Sequence, residues 1–164
     1  MSVPMEDYEI KDIYNRTTIP NLQINTCDFH KKEENATQII YSLRAGVINK
    51  GNNVCQLYKL SFYINNVASN HIDITYPTIN GNYTIINENR LKLSITPREP
   101  IFSNETLDIG DIKIIVSKHI SAIFFQHLII DMILFYNGGQ DRVAYIPSQQ
   151  RCIDNSAEIE KFIH

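Results

Sequence analysis

The chain has 164 residues, of which 43% are hydrophobic and 20% charged, and its net charge is −3. This composition indicates one globular domain with an ordinary core, and it excludes intrinsic disorder, which requires low hydrophobicity and high net charge. The single basic pair, Lys31-Lys32, is followed at once by Glu33-Glu34. Without a basic run to attract a polyanion, we expect no nucleic-acid partner.

One residue type dominates the composition: isoleucine occurs 28 times, whereas alanine occurs six times. Because Ile is β-branched and favours strands, this bias predicts a β-rich fold. Codons for Ile and Asn are rich in A and T, so the same bias indicates an AT-rich genome, as in many viruses.

Residues 1–20 are predicted to form an N-terminal arm that ends at Pro20. Beyond it, apolar and polar residues alternate in the manner of strands with one buried face. About seven short strands follow from this alternation, at 22–24, 39–43, 58–64, 72–76, 83–85, 91–95 and 112–116.

Three turns are predicted between these strands, the first at Asn49-Lys50-Gly51-Asn52. Asn80-Gly81 is the strongest short-range hairpin signal, because both positions of the turn need positive φ, and it predicts a hairpin of 72–76 with 83–85. Asn87-Glu88-Asn89 predicts a further turn before 91–95. Pro97 and Pro100 then end that strand, since proline donates no hydrogen bond to a sheet.

Residues 117–136 contain neither Gly nor Pro, and their apolar side chains would surround a helix on every side. We predict a strand at 132–136 and leave 117–130 open between helix and strand. His119, Gln126, His127 and Asp131 interrupt the segment, so we do not expect it to span a membrane.

The C-terminal part is predicted as a hairpin and a tail. Residues 133–136 and 142–146 flank the turn signal Asn137-Gly138-Gly139. Residues 148–164 form the tail, with a short helix that Asp154 would cap. One side of that helix would carry Ile159, Phe162 and Ile163.

Together these elements predict a mainly β fold, a sandwich or jelly-roll-like single domain at 21–147 with a short C-terminal helix. The alternative is an α+β fold in which a helix at about 117–131 packs on the sheet.

Catalytic candidates are few. His127 and Asp131 are four residues apart, so a helix would bring them together as half of a general-base pair. Their nucleophile would have to be Cys27, Cys55 or Ser121. Two polar residues in an apolar segment more often form a buried pair that satisfies their hydrogen-bonding groups than a catalytic pair. We therefore predict no catalytic residues and a non-enzymatic protein.

Metal and cofactor motifs are weaker still. Cys27 and His30 have the spacing of a zinc-ligand pair, but no second close pair accompanies them, and residues three apart on a strand point to opposite faces. The chain has three cysteines, Cys27, Cys55 and Cys152, and this odd number predicts reduced thiols. No phosphate-binding loop is present, and we expect neither metal nor cofactor.

Three functions are weighed. The first is a structural or assembly protein, such as a coat, matrix or accessory component of a virus particle, because one small core cannot be expected to bury all of 117–136. We expect such a protein to associate with itself or with a protein partner, as a homo-oligomer or as part of an assembly, through Ile120, Phe124, Phe125, Leu128 and Met132.

The second function is a ligand- or host-protein-binding β-sandwich, lectin-like or inhibitory. The third is an enzyme with a reactive cysteine, which requires a lowered thiol pKa. The first residues lack the basic and apolar regions of a signal peptide, so the expected location is the cytoplasm or a virus particle.

Overall fold

The computed structural model describes residues 20–76 and 81–163, so the predicted arm lies outside the described residues except for Pro20. Two α-helices are present in the described chain, α1 (Ser121–His127) and α2 (Ser156–Phe162), together with three short 3₁₀ helices. The described strands are β1 (Leu22–Glu34), β2 (Gln38–Asn49), β3 (Tyr58–Asn65), β4 (Ile72–Thr75), β5 (Gly81–Asn87), β6 (Arg90–Ile95), β7 (Thr106–Ser117), β8 (Ile129–Tyr136), β9 (Gly139–Ile146) and β10 (Arg151–Ile153).

The strands form two antiparallel sheets packed as a sandwich, which confirms the predicted fold class. The four-stranded sheet has the order β1-β2-β7-β4, and the six-stranded sheet has the order β10-β9-β8-β3-β6-β5. The predicted tail therefore also contributes a strand, because β10 pairs with β9.

The core lies between the sheets and is built from the alternating residues that the sequence predicts. On β3 the inner residues Tyr58, Leu60, Phe62 and Ile64 are all buried. The facing strands β2 and β7 contribute the same pattern, for example Leu43 and Ile112. Period-two alternation thus places a continuous apolar layer on the inner face of each sheet.

The open question at residues 117–130 is resolved by a crossover between the sheets. The chain leaves β7 through a 3₁₀ turn at Lys118–Ile120, forms α1, and enters the six-stranded sheet at β8. Phe124 and Phe125 of α1 pack on Phe29 and Tyr41, whose rings stack at a centroid distance of 4.9 Å. The helix is only seven residues long, and the strand predicted at 132–136 is confirmed within β8.

One predicted hairpin is confirmed and the other is wrong. β8 and β9 pair through the turn at Asn137-Gly138, where Gly138 has a φ of 119°. In contrast, β4 pairs with β7 and β5 pairs with β6, so the segment containing Asn80-Gly81 connects the two sheets. The turn signal was local, whereas strand partners are decided by which sheet buries each apolar face.

The outer face of the six-stranded sheet is partly covered by α2. Ile159 of this helix is buried with Ile129, Ala144, Ile146 and Ile153 in a second, smaller apolar cluster. Phe162 and Ile163 pack on the same cluster, as the predicted helix face requires.

A buried ion pair borders this second cluster. Asp131 of β8 has no exposed surface, and its carboxylate accepts two hydrogen bonds from Arg142 of β9, at 3.0 and 2.7 Å. Arg142 also donates to Glu160 of α2 at 2.8 Å. The guanidinium therefore joins two strands to the C-terminal helix, and the adjacent carboxylates raise the pKa of Arg142.

Neither of the two described α-helices has the length and apolar character needed to span a bilayer.

The N-cap of α2 is Asn155 and not the predicted Asp154, since the Asn155 side chain accepts a hydrogen bond from the backbone N–H of Glu158 at 3.1 Å. We expect Asn155→Ala to lower the free energy of unfolding by about 1 kcal/mol, the usual value of a lost N-cap. Asp154→Ala should change it by less than half of that. Urea unfolding of both variants checks this expectation, and equal losses would contradict the assignment of the cap.

The Asp131–Arg142 pair gives a second prediction. Arg142→Ala leaves a buried carboxylate without its partner, so we expect a loss of about 3–5 kcal/mol in the free energy of unfolding. The matched control is Arg151→Ala, which breaks the half-exposed pair of Arg151 with Glu158 and should cost about 1 kcal/mol or less. Denaturant unfolding at neutral pH measures both. Similar losses in the two variants would mean that Asp131 does not depend on Arg142.

Candidate interface at a sheet edge

The residues predicted as an interface belong largely to the core of the chain itself. Phe124, Leu128 and Met132 are 3% exposed or less, and they lie between the two sheets. Ile120 and Phe125 are half-buried against the same core. These five side chains consequently offer little surface to a partner, because the crossover folds them inward.

The predicted His127–Asp131 pair does not form. His127 is the last residue of α1 and is exposed, whereas Asp131 lies on β8 and is bonded to Arg142. Ser121, a candidate nucleophile, donates its hydroxyl hydrogen bond to the backbone oxygen of Lys118. The spacing of four residues does not bring the two side chains together, because α1 ends at His127 and Asp131 lies on a strand.

The cysteines are placed in surroundings that suppress thiol reactivity. Cys27 and Cys152 line a cavity of about 270 Å³ between β1 and the β9–β10 edge, slightly below the roughly 300–1,000 Å³ usual for small-molecule sites. Burial raises the pKa of Cys27 to about 12, with smaller contributions from Cys152 and Asp28. Burial also raises the pKa of Cys55 and of Cys152.

The candidate metal ligands remain dispersed. His30 contacts Asp28 at 2.9 Å, and Cys55 forms an isolated bridge with Ile101. Across residues 20–76 and 81–163, no three His, Cys, Asp or Glu side chains come together as a metal-ion site would require. His71 instead packs edge-on against His119, with ring centroids 5.5 Å apart.

The two sheets have four edge strands, and three of them carry features that hinder pairing with another chain. β1 has Lys and Glu side chains along its second half and two register shifts. β4 is four residues long and carries the exposed Asp73, and β10 is only three residues long. Short length, charge and bulges are the usual protections of a sheet edge.

The fourth edge strand, β5, has no charge and only one register shift, near its end. Its sequence from Gly81 to Asn87 contains no charged residue and no proline. Tyr83, Ile85 and Ile86 are 36%, 52% and 46% exposed. The register with β6 is continuous from Gly81 to Ile85, and the single shift lies beyond it. Among the described strands β5 pairs only with β6, so one side of its backbone faces no described strand.

The position of β5 is held from both neighbouring elements. The hydroxyl of Tyr83 donates a hydrogen bond of 2.7 Å to Asp73 of β4, which joins the two sheets at this edge. Ser69 donates through its backbone N–H to Glu88 and through its hydroxyl to Asn87. These hydrogen bonds fix the position of β5 relative to β4 and to the 3₁₀ turn at Ser69–His71.

Sequence reasoning identified 83–85 as a strand but did not identify it as an interface. The signal that could have found it is a window of β-favouring, uncharged residues without proline, the usual signature of an aggregation-prone edge. Tyr83, Ile85 and Ile86 stand in such a window.

A comparison of the sequence with protein-family models finds no match, and neither does a comparison with curated proteins.

The cysteine environments give a direct prediction. A thiol attacks iodoacetamide as the thiolate, and with a pKa of about 12 only about one Cys27 side chain in ten thousand is ionised at pH 8. We expect Cys27 and Cys55 to remain unmodified in the native protein, and the exposed Cys152 to react slowly. Mass spectrometry of digested protein measures the three sites, with guanidinium-unfolded protein as the control in which all react. Rapid native alkylation of Cys27 would contradict the expected raised pKa.

Proposed function

We propose that the protein is a non-enzymatic structural or assembly protein that associates with a second copy of itself through β5. The observation that carries this proposal is the contrast between β5 and the other three edge strands. Natural proteins protect exposed edges unless the edge is used, and β5 has seven residues, none of them charged, with exposed Tyr83, Ile85 and Ile86 among them.

Strand addition is the interaction that this edge supports. An exposed edge strand presents a row of backbone N–H and C=O groups, and a second β5 in antiparallel orientation satisfies both rows. Such a contact is isologous, because the same surface serves both copies around a two-fold axis. The six-stranded sheets of the two copies then form one continuous sheet.

A second copy is favoured as the occupant by the charges of the strand. Because β5 carries no charged side chain, its antiparallel pairing with itself places no like charges opposite each other. Tyr83, Ile85 and Ile86 would lose exposed apolar surface in the same contact, which adds a hydrophobic contribution of about 25 cal/mol per Å² buried.

A role in a virus particle, as a coat, matrix or accessory component, is the biological setting we propose for this association. What supports it is the composition, in which 28 isoleucines accompany only six alanines, as expected from an AT-rich genome. The raised thiol pKa values also weigh against a cysteine mechanism, the enzymatic alternative considered above.

The test is a charge placed on the β5 edge. Ile85→Lys should weaken self-association at least tenfold, because two-fold pairing brings the new ammonium groups of both copies close together in a desolvated contact. Size-exclusion chromatography with light scattering over a range of concentrations measures the shift from oligomer to monomer.

Ile123→Lys is the matched control, since Ile123 lies on α1 and is 67% exposed. It should leave the oligomeric state unchanged. A wild-type protein that stays monomeric at every concentration would overturn the proposal and favour the ligand-binding sandwich. An oligomer that survives Ile85→Lys would place the interface elsewhere.

A further inference from the structure

The outer face of the six-stranded sheet is only half covered by α2, and the open half carries an unusual set of side chains. In the register of the sheet, Lys59 of β3 lies opposite Phe135 of β8, and Tyr63 of β3 lies opposite Lys92 of β6. Arg90 of β6 lies two residues from Lys92 on the same face. We refer to Lys59, Tyr63, Arg90, Lys92 and Phe135 as the cationic face.

Cations and aromatic rings are interleaved on this face. The Lys59 ammonium lies 5.3 Å from the centroid of the Phe135 ring. The Arg90 guanidinium lies 4.3 Å from the Tyr63 centroid, and the Lys92 ammonium lies 5.4 Å from it. The rings hold the three cations at the surface of the sheet.

These three cations have no carboxylate partner in the described part of the chain. Two carboxylates at the border of this face, Asp131 of β8 and Glu160 of α2, are both bonded to Arg142. A local excess of three positive charges therefore stands on a protein whose net charge is −3. Charge complementarity assigns an anionic partner to this surface.

The aromatic residues decide which anionic partner fits. Phe135 is 38% exposed, and its ring is large enough to stack a base. The Arg90 guanidinium, which lies over the Tyr63 ring, is a second planar group on which a base can stack. Tyr63 is half-buried, so Phe135 is the one exposed ring of this face. An acidic peptide would use the cations but would not need this ring, whereas single-stranded nucleic acid uses both.

We propose that the cationic face binds single-stranded nucleic acid without sequence preference, with phosphates at Lys59, Arg90 and Lys92 and a base stacked on Phe135. The face is separate from the contact proposed at the β5 edge, and the inference does not depend on that contact. This inference differs from the expectation, drawn from the sequence, that the protein has no nucleic-acid partner. In the sequence the three cations are far apart, at positions 59, 90 and 92.

The experiment uses the full chain and a fluorescein-labelled oligothymidylate of 20 nucleotides, with binding followed by fluorescence anisotropy. We expect a dissociation constant on the order of 10 μM at 50 mM salt, as for non-specific binding. Three phosphate contacts on a single strand predict a slope of about −2 in a plot of log affinity against log salt.

Two pairs of variants locate the site. Lys59→Glu combined with Lys92→Glu should weaken binding at least tenfold and reduce the slope by about 1.4. Lys32→Glu combined with Lys50→Glu changes the net charge equally at exposed positions elsewhere, and should weaken binding no more than about threefold. Phe135→Ala should weaken binding at least about fivefold with the slope unchanged. Its control, Phe102→Ala, removes another exposed ring and should have no effect.

The outcomes separate the alternatives. Equal weakening by the two lysine pairs would overturn the site, since only net charge would then matter. Tighter binding of a fluorescein-labelled poly-aspartate peptide, lost in the Lys59/Lys92 variant but unaffected by Phe135→Ala, would overturn the nucleic-acid assignment in favour of an acidic protein segment. Thermal unfolding verifies each variant, and Lys59→Glu alone, at an exposed position, provides the test if the double variant does not fold.

Discussion

The unequal width of the two sheets is the constraint on which the rest of the structure depends. Strands lie roughly 4.8 Å apart, so four strands cannot cover the inner face of six. At one side β1 packs against β8 and β9. At the other side the smaller sheet ends at β4, whose Asp73 reaches Tyr83 of β5 through a single hydrogen bond. The overhang leaves apolar side chains of β5 in solvent, so the unequal width of the two sheets accounts for the exposed edge on which the proposed self-association rests.

The outer face of the wider sheet is divided in the same way. α2 covers the half around Ile129 and Ala144 with apolar contacts, and Arg142 satisfies both carboxylates at its border. A buried aspartate without a partner lowers the stability of the folded protein. Asp131 therefore needs its ion pair with Arg142, and this pair fixes how β8, β9 and α2 are arranged on this half of the face. The other half keeps its cations unpaired by carboxylates. The Arg142 guanidinium thus lies at the boundary between the half of the face that α2 covers and the cationic face.

The alternation of apolar and polar residues predicted most of the strands. Which strands pair with each other could be predicted only for strands that a short turn connects. The alternation at 58–64 and 91–95 and the turn between β8 and β9 follow from neighbouring residues. The partner of β4 does not, because Asn80-Gly81 resembles a hairpin turn while the apolar face of β4 is buried beside β7. Residues 117–130 carry apolar side chains on every side of a helical wheel, so their own pattern does not show which side is buried. That side is decided by contacts with the rings of Phe29 and Tyr41, which lie far away in the sequence. Whether a strand lies at an edge, and whether Lys59 and Lys92 lie on the same face, are properties of the assembled sheet.

The central strand pairings have a consequence for the order in which the molecule is made. Tyr58 of β3 pairs with Tyr136 of β8, and Gln38 of β2 pairs with Ser117 of β7. During synthesis β2 and β4 therefore emerge from the ribosome before β7, and β3 emerges before β8. The four-stranded sheet cannot be completed before Ser117 has emerged, or the six-stranded sheet before Ile153. Such non-local topology folds slowly, on the scale of milliseconds to seconds for β-sandwiches. The uncharged β5 emerges within that interval, when copies of the chain on neighbouring ribosomes are close to one another, so the self-association proposed for β5 would compete with folding.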